Sequence, residues 1–349
     1  ITKPYDVIYS MTGKFMGKAS LCPNVVNEMN MSQNSVVIKN DNKLFSAQTC
    51  IFLNSKVNRI QITGTYSITK QKYINQGRIA ELKVPELFKN KTKFLENYIN
   101  NLNIYYESIV QINELIDSFN HEILNCNFIS DQSKIFIKKK RMISSKILTP
   151  KHHDTFNDTL INQMHKMKKN KTISDFKPRK GNEISSSNYV DEGIPFIKTS
   201  GFSNFGVDTQ SNHYCTEEIY KSTKQEVNIG DIIFTKDGKI GEVGIIDETK
   251  KVVLSAGIVI ISIKDLELRY WLFLLLNSAY GKIMFKKWNV IASTMSHLRK
   301  DLYQEFLIPE ISKEIREKYI NKIRLCFEEK LKAHQNINLN KSKVLDVIQ

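Results

Sequence analysis

The sequence predicts an α+β protein: two β-rich domains separated by a long-helix antiparallel coiled coil. Two observations carry this expectation. One pattern is stated twice, at Asp6-Val7-Ile8-Tyr9-Ser10-Met11-Thr12-Gly13-Lys14-Phe15-Met16-Gly17-Lys18 and again at Asp231-Ile232-Ile233-Phe234-Thr235-Lys236-Asp237-Gly238-Lys239-Ile240-Gly241-Glu242. Each copy is then followed by a stretch of helical periodicity free of Gly and Pro.

The echo extends well past the first phrase. Ser32 with Val36-Val37-Ile38 matches Ser255 with Val259-Ile260-Ile261, and Leu53-Asn54-Ser55 matches Leu276-Asn277-Ser278. Leu82-Lys83-Val84-Pro85-Glu86-Leu87 matches Phe306-Leu307-Ile308-Pro309-Glu310-Ile311. Asp6 to Asp231 is 225 residues, Ser32 to Ser255 and Leu53 to Leu276 are each 223, and Pro85 to Pro309 is 224. A period this long is a duplicated domain, not a solenoid repeat.

Taken in order, residues 1–87 read as the rear half of a first domain whose front is missing. Val7-Ile8-Tyr9 and Ser35-Val36-Val37-Ile38 are strands, and Gly13 and Gly17 bracket a tight hairpin-like connection between strands. Leu44 to Leu53 is a short helix ending at Asn54, and Pro85 closes the domain. Residues 88–124 carry Leu95, Tyr98, Leu102, Tyr105, Ile109, Ile112, Ile116, Phe119 and Ile123, an unbroken 3-4 heptad seam that needs a partner helix to cover it. Residues 125–171 form a basic linker with a helix expected from Asn157 to Lys169. Residues 172–311 are the complete second copy. Residues 312–349 are helical again, with an i+4 row running from Ile311 through Ile315, Tyr319, Ile323, Phe327 and Leu331, widened by Ile320. That row is the natural antiparallel partner of the first seam, and the pair is expected to set the distance between the two domains.

The bulk numbers narrow the function. A chain of 349 residues with 41% hydrophobic content can build two real cores. A net charge of +15 points to nucleic acid or an anionic surface, with runs at Lys138-Lys139-Lys140-Arg141 and around Lys166 to Lys171. The five cysteines are scattered with no Cys-x-x-Cys pair, which fits a reducing, cytoplasmic setting and excludes a zinc ribbon or a disulfide scaffold. Trp271-Leu272-Phe273-Leu274-Leu275-Leu276 is the most apolar run and is too short to span a bilayer, so no membrane association is expected.

The phrases Gly193-Ile194-Pro195-Phe196-Ile197-Lys198-Thr199-Ser200, Gly230-Asp231-Ile232-Ile233-Phe234-Thr235-Lys236-Asp237-Gly238-Lys239-Ile240-Gly241 and Ile308-Pro309-Glu310, in the order domain-helix-domain-helix, resemble the specificity (S) subunit of type I restriction-modification systems. The resemblance implies two target recognition domains, each reading one half of a split DNA site. It implies an antiparallel coiled coil that sets the gap and docks methyltransferase (M) subunits, and a restriction (R) subunit in the full complex. Ile311 and Leu87 stand where the family's closing phrase has a second proline. Methyltransferases with recognition domains fused at their carboxyl end carry similar repeats. The recognition region of a single-chain adenine methyltransferase or restriction enzyme is therefore an open alternative, and a coiled-coil interaction scaffold is another.

Candidate DNA contacts follow from the turns. Lys236, Asp237 and Lys239 share one turn, and Ser10, Thr12 and Lys14, with Lys18 beyond, occupy the matching turn of the first copy. Lysine donates to guanine and aspartate accepts from cytosine's amino group, although Asp237-Gly238-Lys239 is also simply a good hairpin turn. Lys198, Thr199 and Ser200 form a second polar segment, and Lys286-Lys287 a possible phosphate contact. No catalytic residue is expected. There is no Pro-Pro for an amino-methyltransferase motif and no phosphate-binding Gly-x-x-x-x-Gly-Lys loop, and the Glu-x-Lys spacing at Glu248-Thr249-Lys250 is common by accident. His152-His153-Asp154 lacks partners at metal-ligand spacing and reads as a polar linker. The expectation is a reader of double-stranded DNA without cofactor or metal.

Overall fold

A computed structural model of the chain describes residues 1–349 apart from 64–66, 69–71, 125–149, 154, 168, 210–212, 248–250, 293–294 and 347–349. The basic run at 138–141, Cys126 and the Glu248-Thr249-Lys250 triplet therefore lie outside the described residues, as does most of the linker at 125–171. The chain divides into two compact units, one of residues 1–110 with 326–349 and one of residues 111–325.

In the first unit the strand Val7–Ser10 pairs antiparallel with Ala19–Leu21 on one side and Ser35–Ile38 on the other. Alternation drives this: Val7 and Tyr9 are buried while Ile8 and Ser10 are half-buried. The connection after Ser10 is a 3-10 turn at Gly13–Phe15, and Gly13 and Gly17 take φ of 70° and 81°, a region in which glycine alone is unstrained. The helix Lys43–Leu53 starts at Asn42, whose side chain accepts from the amides of Leu44 and Phe45, and ends at Asn54 as expected.

The second unit repeats this arrangement strand for strand. Ile232–Thr235 pairs antiparallel with Val243–Ile245 and with Ile258–Ile261. Val7 faces Leu21 and Ile38, whereas Ile232 faces Ile245 and Ile261, so the registers coincide at the offsets read from the sequence. Gly238 and Gly241 take φ of 71° and 85°, matching Gly13 and Gly17. The helix Leu266–Asn277 corresponds to Lys43–Leu53 and is buried continuously from Tyr270 to Leu276, so the apolar run is core. Trp271 Nε1 donates to the carbonyl of Pro309 at 2.9 Å, and at the corresponding place Gln48 Nε2 donates to the carbonyl of Pro85 at 3.0 Å.

The second unit also carries a front portion. Arg179–Lys180 adds a fourth strand beside Ile258–Ile261, and Lys169–Thr172 pairs with Leu307–Pro309. A further sheet sets Ile194–Ile197 between Tyr214–Cys215, antiparallel, and Val253–Leu254, parallel. A helix runs from Thr155 to Lys166, close to the expected Asn157 to Lys169.

Two long helices complete the fold: a central helix, Thr92–Glu122, and a C-terminal helix, Asn321–Leu345, preceded by a π turn at Arg316–Ile320. Within the first unit they run antiparallel. The Tyr98 ring lies 5.7 Å from Lys341 Nζ, Asn336 Nδ2 donates to Asn101 Oδ1 at 3.0 Å, and the Tyr105 and His334 rings stand 5.7 Å apart. Within the second unit Phe119 packs edge-on against Tyr319 at 5.4 Å and Trp271 at 5.7 Å, and Glu122 pairs with Lys318. The expected antiparallel helix pair is thus present. Its C-terminal seam follows the expected i+4 row as far as Phe327, which is buried, and then departs from it: Cys326, Lys330, Ala333, Ile337, Asn340 and Val344 are buried in a 3-4 alternation, while Leu331 is half-buried. A straight i+4 row drifts around a helix, and only the alternation holds one face toward a partner.

Candidate nucleic-acid interface

Three segments of the second unit converge on one turn. The backbone of Lys236-Asp237-Gly238 is fixed from both sides. Lys236 N donates to the carbonyl of Gly257 at 2.8 Å, Leu298 N donates to the carbonyl of Lys236 at 2.8 Å, and Gly238 N donates to the carbonyl of Ser296 at 3.0 Å. The last two bonds dock a β-hairpin, Asn289–Ala292 with Met295–Leu298, onto the turn. Inside the turn the Thr235 hydroxyl donates to the carbonyl of Lys239 and accepts from Glu242 N.

The third segment is the 3-10 turn Thr199–Gly201, which follows the strand Ile194–Ile197. It closes over Gly257, where a Cβ would lie 2.8 Å from Thr199 Cγ2 and 3.4 Å from Asp237 Cβ. Only glycine lets both segments approach this closely. The structure therefore brings Thr199 together with Lys236 and Asp237. Ser200 is exposed beside Thr199. Lys198 is held differently, with Nζ 5.0 Å from the centre of the Tyr189 ring and 6.0 Å from that of Phe196. Lys239 points outward, its side chain 77% exposed and 2.7 Å from Glu242.

Asp237 is the inner member of a charged trio. Its Oδ2 accepts from Lys236 Nζ at 2.7 Å, and its Oδ1 accepts from His297 Nδ1 at 2.8 Å. The side chains of Lys236 and Asp237 are 23% and 22% exposed and that of His297 41%, so the imidazole is the outermost group. A carboxylate only accepts, so the Nδ1 proton of His297 points at Asp237. Burial, with the charge of Asp237 added, pushes the Tyr303 phenol up to about 12, so it is neutral around pH 7.

In the first unit Ser10 Oγ donates to the carbonyl of Thr12 at 3.4 Å, and Ser10 N donates to the carbonyl of Lys18 at 2.9 Å. Lys14 lies in the 3-10 turn, and its side chain is outside the described residues. Thr12 bridges to Tyr73 just as Asp237 bridges to His297. Sequence reasoning did not single out His297, Tyr73 or Tyr303. The repeat offset, 225 residues from Thr12 to Asp237 and 224 from Tyr73 to His297, is the signal that would have found the first two.

Lys287 differs from the expectation of a free phosphate contact: its Nζ is 3.8 Å from Asp158 and only 21% of the side chain is exposed. The pair His152-His153 is corrected from polar linker to packing element. Both rings are buried, His152 stands edge-on to Trp288 at 4.8 Å, and its Nδ1 donates to the carbonyl of Lys287 at 3.1 Å. Apolar contact with Trp288 outweighs the polarity of a ring whose proton has an acceptor. Among the described residues no helix is long and apolar enough to cross a membrane, and no group of three or more His, Cys, Asp or Glu could hold a metal.

Residues 161–310, the span containing every element of this interface, match the family model of the type I restriction modification DNA specificity domain. The second unit therefore carries a match to a DNA specificity domain, at the place where the sequence phrases imply one. That family is defined by DNA recognition, not by a catalytic centre. No curated protein matches the sequence. Three solved chains are similar at low identity. One is from a type I R-M system described for its complex assembly and conformational transition (15% identical, TM-score 0.35, 99% of this chain and 81% of that one). Another is the type I restriction-modification system S subunit from M. genitalium (14%, TM-score 0.29, 100% and 81%). The third is the HsdS subunit from Thermoanaerobacter tengcongensis (15%, TM-score 0.35, 99% and 80%).

Proposed function

We propose that the chain reads a split site in duplex DNA, one half with residues 1–87 and the other with residues 172–311, and that it brings methyltransferase and restriction subunits to that site in the cytoplasm. The observation that carries this is the match of residues 161–310 to a DNA specificity domain, on the unit whose turn, hairpin and polar segment meet at Gly257. Lys236, His297, Lys239, Thr199 and Ser200 offer hydrogen-bonding groups on one surface, as reading base edges requires. Ser10, Thr12, Lys14 and Lys18 occupy the corresponding turn of the first copy. The net charge of +15 supplies the phosphate attraction that sequence reading is built upon. The two long helices offer paired surfaces for the methyltransferase subunits, and the chemistry of methyl transfer and cutting resides in the partners.

Mapping of methylated adenines in the host, with and without the gene, tests this reading. Loss of one bipartite, asymmetric motif on deletion is the expected result. An unchanged methylation pattern, together with binding that ignores sequence in vitro, would leave only a basic coiled-coil scaffold.

A further inference from the structure

We infer that the residue pair Asp237 and His297 in the second unit, and the pair Thr12 and Tyr73 in the first, are the positions at which the two units differ in the base they select. This inference rests on the DNA-reading function proposed above.

The positions are equivalent by construction of the fold. Each pair is an isolated antiparallel bridge between the turn that follows the first sheet strand and a strand pair, Ser67–Ile68 with Lys72–Tyr73 in the first unit and Asn289–Ala292 with Met295–Leu298 in the second, that follows a second helix, Lys56–Thr63 and Ala279–Trp288 respectively. The surrounding frame is shared. The strand registers coincide, the paired glycines Gly13 and Gly238, and Gly17 and Gly241, keep the same left-handed backbone, and Gly17 and Gly241 are backed by the corresponding side chains Ile62 and Phe285. Frame and bridge are kept while the chemistry at the bridge is replaced. One unit presents an acid, an imidazole and the adjoining Lys236; the other presents two hydroxyls, with Met11 in the place of Lys236.

Exposure assigns the roles. Asp237 has both carboxylate oxygens engaged, by Lys236 and by His297, and is a positioning residue that aims Lys236 as the donor and fixes the His297 ring with Nε2 away from the carboxylate. His297, 41% exposed, is the outermost of the three, Lys236 keeps N–H groups that Asp237 does not use with 23% of its side chain exposed, and Tyr73 is 38% exposed at the corresponding place. Guanine shows two acceptors, N7 and O6, in the major groove, and lysine is one of the side chains suited to that pair. The second unit therefore selects guanine through Lys236, with His297 beside it giving a second donor when Nε2 also carries a proton. At the corresponding bridge the first unit carries the neutral hydroxyls of Thr12 and Tyr73, with Met11 in the place of Lys236, and lacks that preference.

The test is selection of binding sites by the full chain from a random duplex library, followed by competition with single-base variants of the selected duplex. The wild-type chain is expected to require guanine at one position of one half-site. His297→Gln is expected to move that position toward adenine, the base that glutamine pairs with bidentately. The double variant Asp237→Thr with His297→Tyr, which installs the first unit's pair, is expected to lose the guanine requirement, with discrimination falling roughly 10- to 100-fold. The other half-site and the slope of log affinity against log salt stay unchanged, since no phosphate contact is removed. Retention of the same guanine requirement by a folded variant overturns the inference. Absence of any selected motif with the wild-type chain overturns the DNA reading instead. If the double variant does not fold, His297→Gln in the second unit and Tyr73→Phe in the first decide the matter, because each keeps a side chain of similar shape.

Discussion

Gly241 holds a backbone φ of 85°, and a Cβ there would stand 2.9 Å from Cδ2 of the Phe285 ring. Gly238, three residues earlier, has nearly the same backbone but only Thr199 Oγ1, 3.9 Å away, within reach of an added methyl. Gly241→Ala is therefore expected to destabilise by about 1–2 kcal/mol from the backbone alone, with the displaced ring adding to it. Gly238→Ala should show the backbone cost and little more, so denaturant unfolding of the two variants should rank Gly241→Ala as the more damaging. The glycines were legible in the sequence as turn residues because only backbone freedom is at issue. The trio around Asp237 was not. Lys236 and Asp237 are adjacent and visible, but His297 lies 60 residues away along the chain, and nothing in its local pattern says that the hairpin folds back onto the turn. The matched carbonyl bonds of Gln48 and Trp271 were hidden for another reason: an amide and an indole share no hydropathy signature, yet each supplies an N–H at the same point.

Among the elements, the central helix was visible because most of its buried face is apolar: Leu95, Tyr98, Leu102, Ile112, Ile116 and Phe119 are buried as the seam predicts, and only Ser108 and Asn120 are buried polar residues that an apolar reading passes over. The C-terminal seam was obscured by its own chemistry. Lys330 is 1% exposed and Asn340 6%, and a reading that follows apolar residues steps past both to Leu331. Lys330 is tolerated because its ammonium lies 5.5 Å from the Tyr105 ring and 5.6 Å from that of Phe327, and its stem is apolar. The same helix pair carries an acid-sensitive contact in the second unit. Lys318, with Ser118 and Tyr319, holds the Glu122 carboxyl down at about 2 against an ordinary value of 4.5. A depressed folded-state value means that the contribution is complete above the unfolded value and is lost as pH falls from about 4.5 toward 2. Unfolding of the helix pair followed by circular dichroism should therefore weaken across that window. Glu122→Gln should flatten that part of the profile and change little at pH 7, because the carboxylate is exposed and screened by solvent. A Glu122→Gln variant with the acid dependence of the wild type would remove this contact from the account.

For the whole molecule, duplication was the most legible property, since four landmarks in one order, 223 to 225 residues apart, require one shared scaffold, and the strand registers and capped helices follow it. The elements that pack on the shared strands of the second unit have a direct energetic consequence. In the second unit Val259, Ile260 and Ile261 are 1%, 1% and 0% exposed, covered on the edge by Arg179–Lys180, while the turn Ile173–Phe176 packs against Leu302–Glu305 with Ile173 fully buried. The corresponding Val36, Val37 and Ile38 of the first unit are only half-buried and line a groove of about 370 Å³ together with Val7, Phe45 and Val84. One substitution at two equivalent sites should then have two different outcomes. Ile260→Lys places an ammonium where no solvent reaches, and a cost on the order of 3–5 kcal/mol is expected, enough to unfold much of the second unit. Val37→Lys can turn its ammonium out through the groove while its methylenes stay on the strand, at a cost of about 1 kcal/mol. Because the chain has two units, a single melting temperature would blur the comparison. Amide hydrogen exchange resolved by segment is the appropriate measurement: protection over 232–235 should collapse in Ile260→Lys and protection over 7–10 should persist in Val37→Lys. Equal loss at both sites would mean that the first unit's strand is as closed to solvent as its counterpart, which its exposure contradicts.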